Sequence, residues 1–194
     1  FTYDGPAIMV LDNTCPNKPT EMWVSKRDLT NDEELPGATL AIKDMDGNIV
    51  TTWVSTDEPH RVTGLHFGES YTLTEIRAAD GYALADNITF RLIQKTDEGG
   101  NPLEECQVYY LTTKNILFWK WDDWRLLDDA TVIMRDDITK VQISKKDLTT
   151  KEELPGAELT LTDEKGNEID RWVSTDAPHY MERLPAGKYT LTEV

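Results

Sequence analysis

The sequence predicts an all-β chain of tandem antiparallel β-sandwiches. Three features carry that prediction: a long internal repeat, short alternating segments between turn signals, and no sustained helical period. Val24-Ser25-Lys26-Arg27-Asp28-Leu29-Thr30 followed by Glu33-Glu34-Leu35-Pro36-Gly37-Ala38 returns as Ile143-Ser144-Lys145-Lys146-Asp147-Leu148-Thr149 followed by Glu152-Glu153-Leu154-Pro155-Gly156-Ala157. The copies stay in step through Trp53–Asp57 and Trp172–Asp176, and close with Tyr71-Thr72-Leu73-Thr74-Glu75 and Tyr189-Thr190-Leu191-Thr192-Glu193. The offset is 145 − 26 = 119 residues until one residue is dropped before the second tyrosine. A period of that length is a whole domain, since solenoid units run roughly 20–50 residues. An array of similar domains points to a stalk before it points to an enzyme.

In chain order, Ala7–Asp12 reads as one strand, and residues 1–14 as the last strand of a preceding domain or of a domain in a partner chain. Cys15-Pro16-Asn17-Lys18-Pro19 is a linker. A complete domain is expected over 20–137, with candidate strands at 20–26, 38–43, 48–54, 71–76, 88–94, 106–112, 115–121 and 130–136. Asp46-Gly47-Asn48, Asp80-Gly81 and Gly99-Gly100-Asn101-Pro102 supply turns between them. Leu29–Leu35 has room for one helical turn. An insertion at about 101–128 holds Trp119, Trp121 and Trp124, read either as a hairpin packing its aromatics on the sandwich or as a partner-binding patch. Residues 138–194 read as an incomplete second domain, lacking equivalents of 88–94 and 130–136.

Composition narrows the function classes. Lys and Arg number 20 against 36 Asp and Glu, a formal net charge of −16 over 194 residues. That balance argues against nucleic acid, whose binding needs basic surface to displace counterions, and against anionic membranes. No apolar run approaches the ~20 residues of a membrane-spanning helix. Leu35-Pro36-Gly37-Ala38 has no hydrophobic tail and reads as a turn, so no cell-wall sorting signal is visible. Cys15 and Cys106 are too few for a disulfide scaffold or a four-thiolate metal site; a disulfide between them and two reduced thiols both stay open. No metal site and no cofactor is expected.

The repeats place charges where apolar residues belong. Strand alternation puts Met22, Val24 and Lys26 on one face, and Val141, Ile143 and Lys145 likewise. Tyr71, Leu73 and Glu75 share a face, as do Tyr189, Leu191 and Glu193, and Val132, Met134 and Asp136. A charge that continues a core-facing row must be paired, neutralised or chemically consumed.

These motifs, taken in order, resemble the Cna B-type (SpaA-like) domains of Gram-positive surface adhesins and pilins. The resemblance rests on the Val-Ser-Lys strand, Glu-Leu-Pro-Gly-Ala, the Tyr-Thr-Leu-Thr-Glu box, Ala78-Ala79-Asp80-Gly81-Tyr82, Ile88–Leu92 and the final strand Val132–Asp136. It implies an immunoglobulin-like or prealbumin-like sandwich. It also implies a spontaneous isopeptide bond between a first-strand lysine, here Lys26, and a last-strand Asp or Asn, here Asp136, with Glu75 as proton relay. The chemistry is physically reasonable. Burial favours the neutral amine and acid, packing supplies effective molarity, and one turn of the reaction releases water. This is single-turnover maturation, so no enzyme is expected. Alternation points Asp137, the rival donor, away from Lys26.

The second copy supplies Lys145 and Glu193 without a donor of its own. The donor is expected from beyond Val194 or from Asp12 of another chain, which would give a covalent polymer by strand addition. The expected function is therefore a stalk module of an extracellular, cell-surface adhesin, pilus or filament. Its partners would be neighbouring copies of the same domain, and a host protein or glycan if the aromatic insertion binds one.

Weaker signals read blandly. Asp44-Met45-Asp46-Gly47-Asn48 looks like a calcium-loop opening, but Asp163-Glu164-Lys165-Gly166-Asn167 places a lysine at a ligand position, so a hairpin turn is expected. His60 and His179 read as turn residues, and Asn87-Ile88-Thr89 as a silent sequon.

Overall fold

The computed structural model describes residues 20–116 and 119–194. The strand expected over 7–12, with Asp12, and Cys15 lie outside the described residues.

Repeat one folds into nine strands: β1 (Glu21–Asp28), β2 (Thr39–Lys43), β3 (Ile49–Val54), β4 (His60–Thr63), β5 (Ser70–Arg77), β6 (Ile88–Thr96), β7 (Pro102–Ile116), β8 (Trp119–Leu127) and β9 (Thr131–Asp136). They form a three-stranded sheet, β4-β1-β9, facing a six-stranded sheet, β3-β2-β5-β6-β7-β8. Repeat two contributes β10 (Lys140–Ile143), β11 (Glu158–Asp163), β12 (Glu168–Val173), β13 (His179–Glu182) and β14 (Tyr189–Glu193), in sheets β10-β13 and β12-β11-β14. The described residues hold no α-helix; 29–31 form a turn, with Asp32 left-handed at φ 60.

Alternation builds the core of repeat one. Met22 and Val24 of β1 and Val132 and Met134 of β9 meet Leu40, Leu73, Phe90 and Val108 of the opposite sheet, all 2% exposed or less. Each such side chain contributes roughly 1.5–3 kcal/mol on burial. Most pairings are antiparallel, but β1 and β9 run parallel, with Lys26 opposite Met134 and Asp28 opposite Asp136. Parallel neighbours need a long connection. Here it is the remainder of the repeat.

Several expectations need correction. The strand expected at 106–112 continues to Ile116 in β7, and the one expected at 115–121 is divided between the end of β7 and the start of β8, because Thr113↔Asp122 and Lys114↔Trp121 continue the β7–β8 ladder where a break was expected. β-branched Thr112 and Thr113 suit a strand. His60 and His179 are the first residues of β4 and β13, and each stacks on a tryptophan, Trp53 at 4.4 Å and Trp172 at 4.2 Å. Those two strands of four residues were too short to register as periodic.

The rows of repeat two are also less buried than alternation suggested. Val141, Ile143 and Lys145 are half-buried, and Leu191 is 45% exposed. In repeat one, β9 covers β1 and β6 covers β5. Among the described residues of repeat two, no strand takes either place. For the same reason β10 stops at Ile143, whereas β1 continues to Asp28.

The calcium-like loops are hairpin turns. The Asp44 carboxylate accepts from the Asn48 amide (2.8 Å) and side chain (2.9 Å), and Asp163 does the same for Asn167.

Candidate functional site

Lys26, Glu75 and Asp136 converge between the two sheets of repeat one. Lys26 is carried by β1, flanked by β4 and β9; Asp136 ends β9; Glu75 reaches across from β5. Lys26 Nζ donates directly to Asp136 Oδ1 across a sequence separation of 110 residues. Glu75 Oε1 lies 3.0 Å from the same nitrogen, and all three side chains are 1% exposed or less. The Ala85 amide donates to Glu75 Oε2 (2.8 Å), fixing the carboxyl group. Glu75 Oε1 meets the cluster through its ion pair with Lys26 Nζ.

One amine and two carboxyl groups in a dry site would leave an uncompensated negative charge if all three ionised. Burial pushes the Asp136 pKa up to about 6; Lys26 opposes the shift and the neighbouring Glu75 adds to it. A protonated Asp136 is the form whose carbonyl carbon an amine can attack. Asp137 is exposed and pairs with Lys140 at 2.8 Å, on the opposite side of the strand from the cluster.

The backbone around Lys26 is clamped by the segments that recur in both copies. Glu34 accepts from the Ser25 hydroxyl and from the Lys26 amide (3.2 Å), while the Leu35 amide donates to Lys26 O (2.6 Å). Ser55 Oγ donates to Leu35 O (2.7 Å) and accepts from the Ala38 amide (2.9 Å). Gly37, at φ 97, lets Leu35-Pro36-Gly37-Ala38 turn tightly enough for both. Ser174 repeats this with Leu154 O (2.7 Å) and the Ala157 amide (2.9 Å). Sequence reasoning missed the two serines, although their place in the recurring Val-Ser-Thr-Asp segments was the available signal.

In repeat two, Lys145 Nζ donates to Glu193 Oε2 (2.6 Å), with side chains 28% and 51% exposed. Asp12, the proposed partner of Lys145, lies outside the described residues. The Arg91 guanidinium carbon stands 4.3 Å above the Trp124 ring. Trp119 and Trp121 belong to β8, paired in register with Ile116 and Lys114. Cys106 is a free thiol whose Sγ donates to Glu21 O (3.0 Å), and burial pushes its pKa up. Cys15, the other half of the disulfide that the sequence leaves open, lies outside the described residues. No group of three or more His, Cys, Asp or Glu suited to a metal occurs among the described residues.

The fold and this buried trio define a class: prealbumin-like β-sandwiches whose first and last strands lie side by side. The chain belongs to the SpaA family of prealbumin-like fold domains, whose profile matches residues 20–102 and 139–194. Among solved structures it is similar to the Bacillus anthracis TIE protein (22% identity, TM-score 0.41), covering 91% of this chain and 28% of that one. The chain thus spans under a third of that protein. It is also similar to the shaft pilin spaA of Lactobacillus rhamnosus GG (12% identity, TM-score 0.42, 91% of this chain and 88% of that one). A third likeness is to the C-terminal fragment of the pilus adhesin SpaC from the same organism (17% identity, TM-score 0.39, 91% and 75%). No curated protein matches the chain.

Proposed function

We propose that this chain is a shaft module of an extracellular, cell-surface adhesin, pilus or filament, built from a complete domain over 20–137 and a second beginning at 138. An isopeptide bond between Lys26 and Asp136 stabilises the first. The observation that carries the reading is the direct contact of Lys26 Nζ with Asp136 inside a cluster closed to solvent. Nζ attacks Cγ of the protonated Asp136, forming the N–C bond. Glu75 accepts a proton from nitrogen and returns it to the departing hydroxyl, the C–O bond breaks and water leaves. Packing of β1 against β9 provides the effective molarity that an unactivated acid requires. Each domain reacts once.

Lys145 and Glu193 are the corresponding pair of the second domain. Their donor is a strand that follows Val194 or Asp12 of another chain. The aromatic hairpin is read as structural. Arg91 occupies one face of Trp124, which favours internal packing over a free binding platform for host protein or glycan.

Intact mass tests the chemistry. The folded chain should be one water lighter than its sequence, and Lys26→Ala or Asp136→Ala should restore the full mass. A full-mass wild-type chain with native fold would overturn the bond.

A further inference from the structure

Arg183 is one of the few described non-glycine residues with positive φ, at 57°. Counting from His60 and His179, the matching residue of repeat one is Gly64, at φ 80. Glycine takes this conformation freely, and a side chain with a β-carbon is strained there. Repeat two therefore keeps an arginine where its own template has the residue that suits the backbone. Strain of this kind persists where surrounding contacts compensate it.

The Arg183 amide donates to Thr139 O (2.9 Å), and the contacts of its side chain lie on repeat one. The guanidinium carbon stands 5.0 Å from the Tyr82 ring centre; Nη1 donates to the Tyr82 hydroxyl and Nη2 to Asp28 Oδ2 (3.4 Å). The Tyr82 hydroxyl in turn donates to the same Asp28 oxygen (2.6 Å). Asp28 is only 4% exposed, so this carboxylate is a buried acceptor reached by the cation of the next repeat. The backbone closes around the contact. The Ala83 amide donates to Asp137 O (3.0 Å) and the Thr139 amide to Gly81 O (2.9 Å). A β-carbon at Gly81 would lie 2.9 Å from Arg183 O, so only glycine permits this approach. Ile138 packs on the small cluster of Leu35, Ala38, Ala79 and Tyr82.

We propose that Asp28 and Tyr82 form a docking seat for a cation on the following domain, and that Arg183 in this seat locks the two repeats in one relative orientation. The partner that fits the seat is a prealbumin-like domain with arginine at its Gly64-equivalent position. Repeat one carries glycine there and so brings no cation of its own, which makes the contact specific to this joint. The counterpart of Asp28 in repeat two, Asp147, is half-buried rather than buried, and its carboxylate accepts from the amides of Thr149 and Thr150. The lock is independent of the Lys26–Asp136 chemistry, since it uses none of those side chains.

The test uses the full chain and Arg183→Gly, which installs the residue that repeat one already tolerates at this position. Residual dipolar couplings of the wild type should fit a single alignment tensor across both repeats. Arg183→Gly should need two, with amide shifts away from the joint unchanged. Tyr82→Phe, which keeps the arginine but removes the bridging hydroxyl, should move in the same direction by a smaller amount. Two tensors in the wild type, or one tensor in both variants, would overturn the lock. Failure of the isopeptide reading shows in the intact mass and leaves these couplings unaffected.

Discussion

Asp28 and Asp136 are partners in the parallel β1–β9 ladder, yet their carboxyl groups are driven in opposite directions. The Tyr82 hydroxyl, with the Thr30 amide, holds Asp28 down at about 2; burial beside Glu75 lifts Asp136 to about 6. One position of the ladder thus carries a carboxylate that stays ionised down to low pH, and its partner a carboxyl group that holds its proton to higher pH.

Glu75→Gln should leave the fold intact while slowing formation of the bond. General acid–base assistance of this kind contributes about 10²–10⁴ in rate. Freshly purified Glu75→Gln protein should therefore contain unreacted chain, visible by intact mass, that converts slowly or not at all. Full conversion at the wild-type rate would remove Glu75 from the mechanism.

Preventing the bond should weaken the first repeat without reshaping it. By analogy with disulfides, which contribute about 2–5 kcal/mol, Lys26→Ala should melt measurably below the wild type. Matched calorimetric scans decide this, and coincident midpoints would show the bond to be absent or energetically irrelevant.

The unreacted site should also have a pH signature. A carboxyl whose folded pKa is raised above its unfolded value binds its proton more tightly when folded, so it adds stability below its unfolded pKa of 3.8 that is lost as pH rises toward about 6. In unreacted Glu75→Gln protein burial still raises this carboxyl while the share due to Glu75 is gone. Denaturant titrations should therefore show stability falling as pH rises above 3.8 over a narrower window, by at most about 1.4 kcal/mol per pH unit. Once the amide has formed the carboxyl no longer exists, and the reacted wild type should lack this component.

Ser55→Ala should cost about 1–3 kcal/mol, because it strands the buried Ala38 amide and Leu35 carbonyl. Ser174→Ala should cost less, as its hydrogen bonds are only partly buried. Equal effects in denaturant melts would contradict the difference in burial.

Incubation at high concentration chooses between the two donors for Lys145. Joining through Asp12 gives a ladder that survives boiling in detergent and disappears in Asp12→Ala and in Lys145→Ala. A monomer at every concentration leaves the donor to a following strand.

Alternation made the buried trio legible, because each member extends an apolar row by one step of two residues. Asp28 extends the row of Met22, Val24 and Lys26 by one more step, so its burial was legible too, although its partners were not. Tyr82 and Arg183 meet it only through tertiary structure, and the one local clue was an arginine standing where the other copy has glycine. The sheets were readable from period and turns, but β4 and β13 were too short to announce themselves. The break expected between 112 and 115 falls at Thr113 and Lys114, whose polar side chains interrupt the apolar pattern while their backbone continues to pair.

The parallel placement of β1 beside β9 has a consequence for how such a domain can diversify. The chain enters repeat one at the start of β1 and leaves it at the end of β9, so a pull on both ends shears two adjacent strands past each other. Everything between them hangs to the side of that line as a closed excursion. Segments there, the β7–β8 hairpin among them, are free to lengthen, shorten or acquire new surfaces without altering how tension crosses the domain.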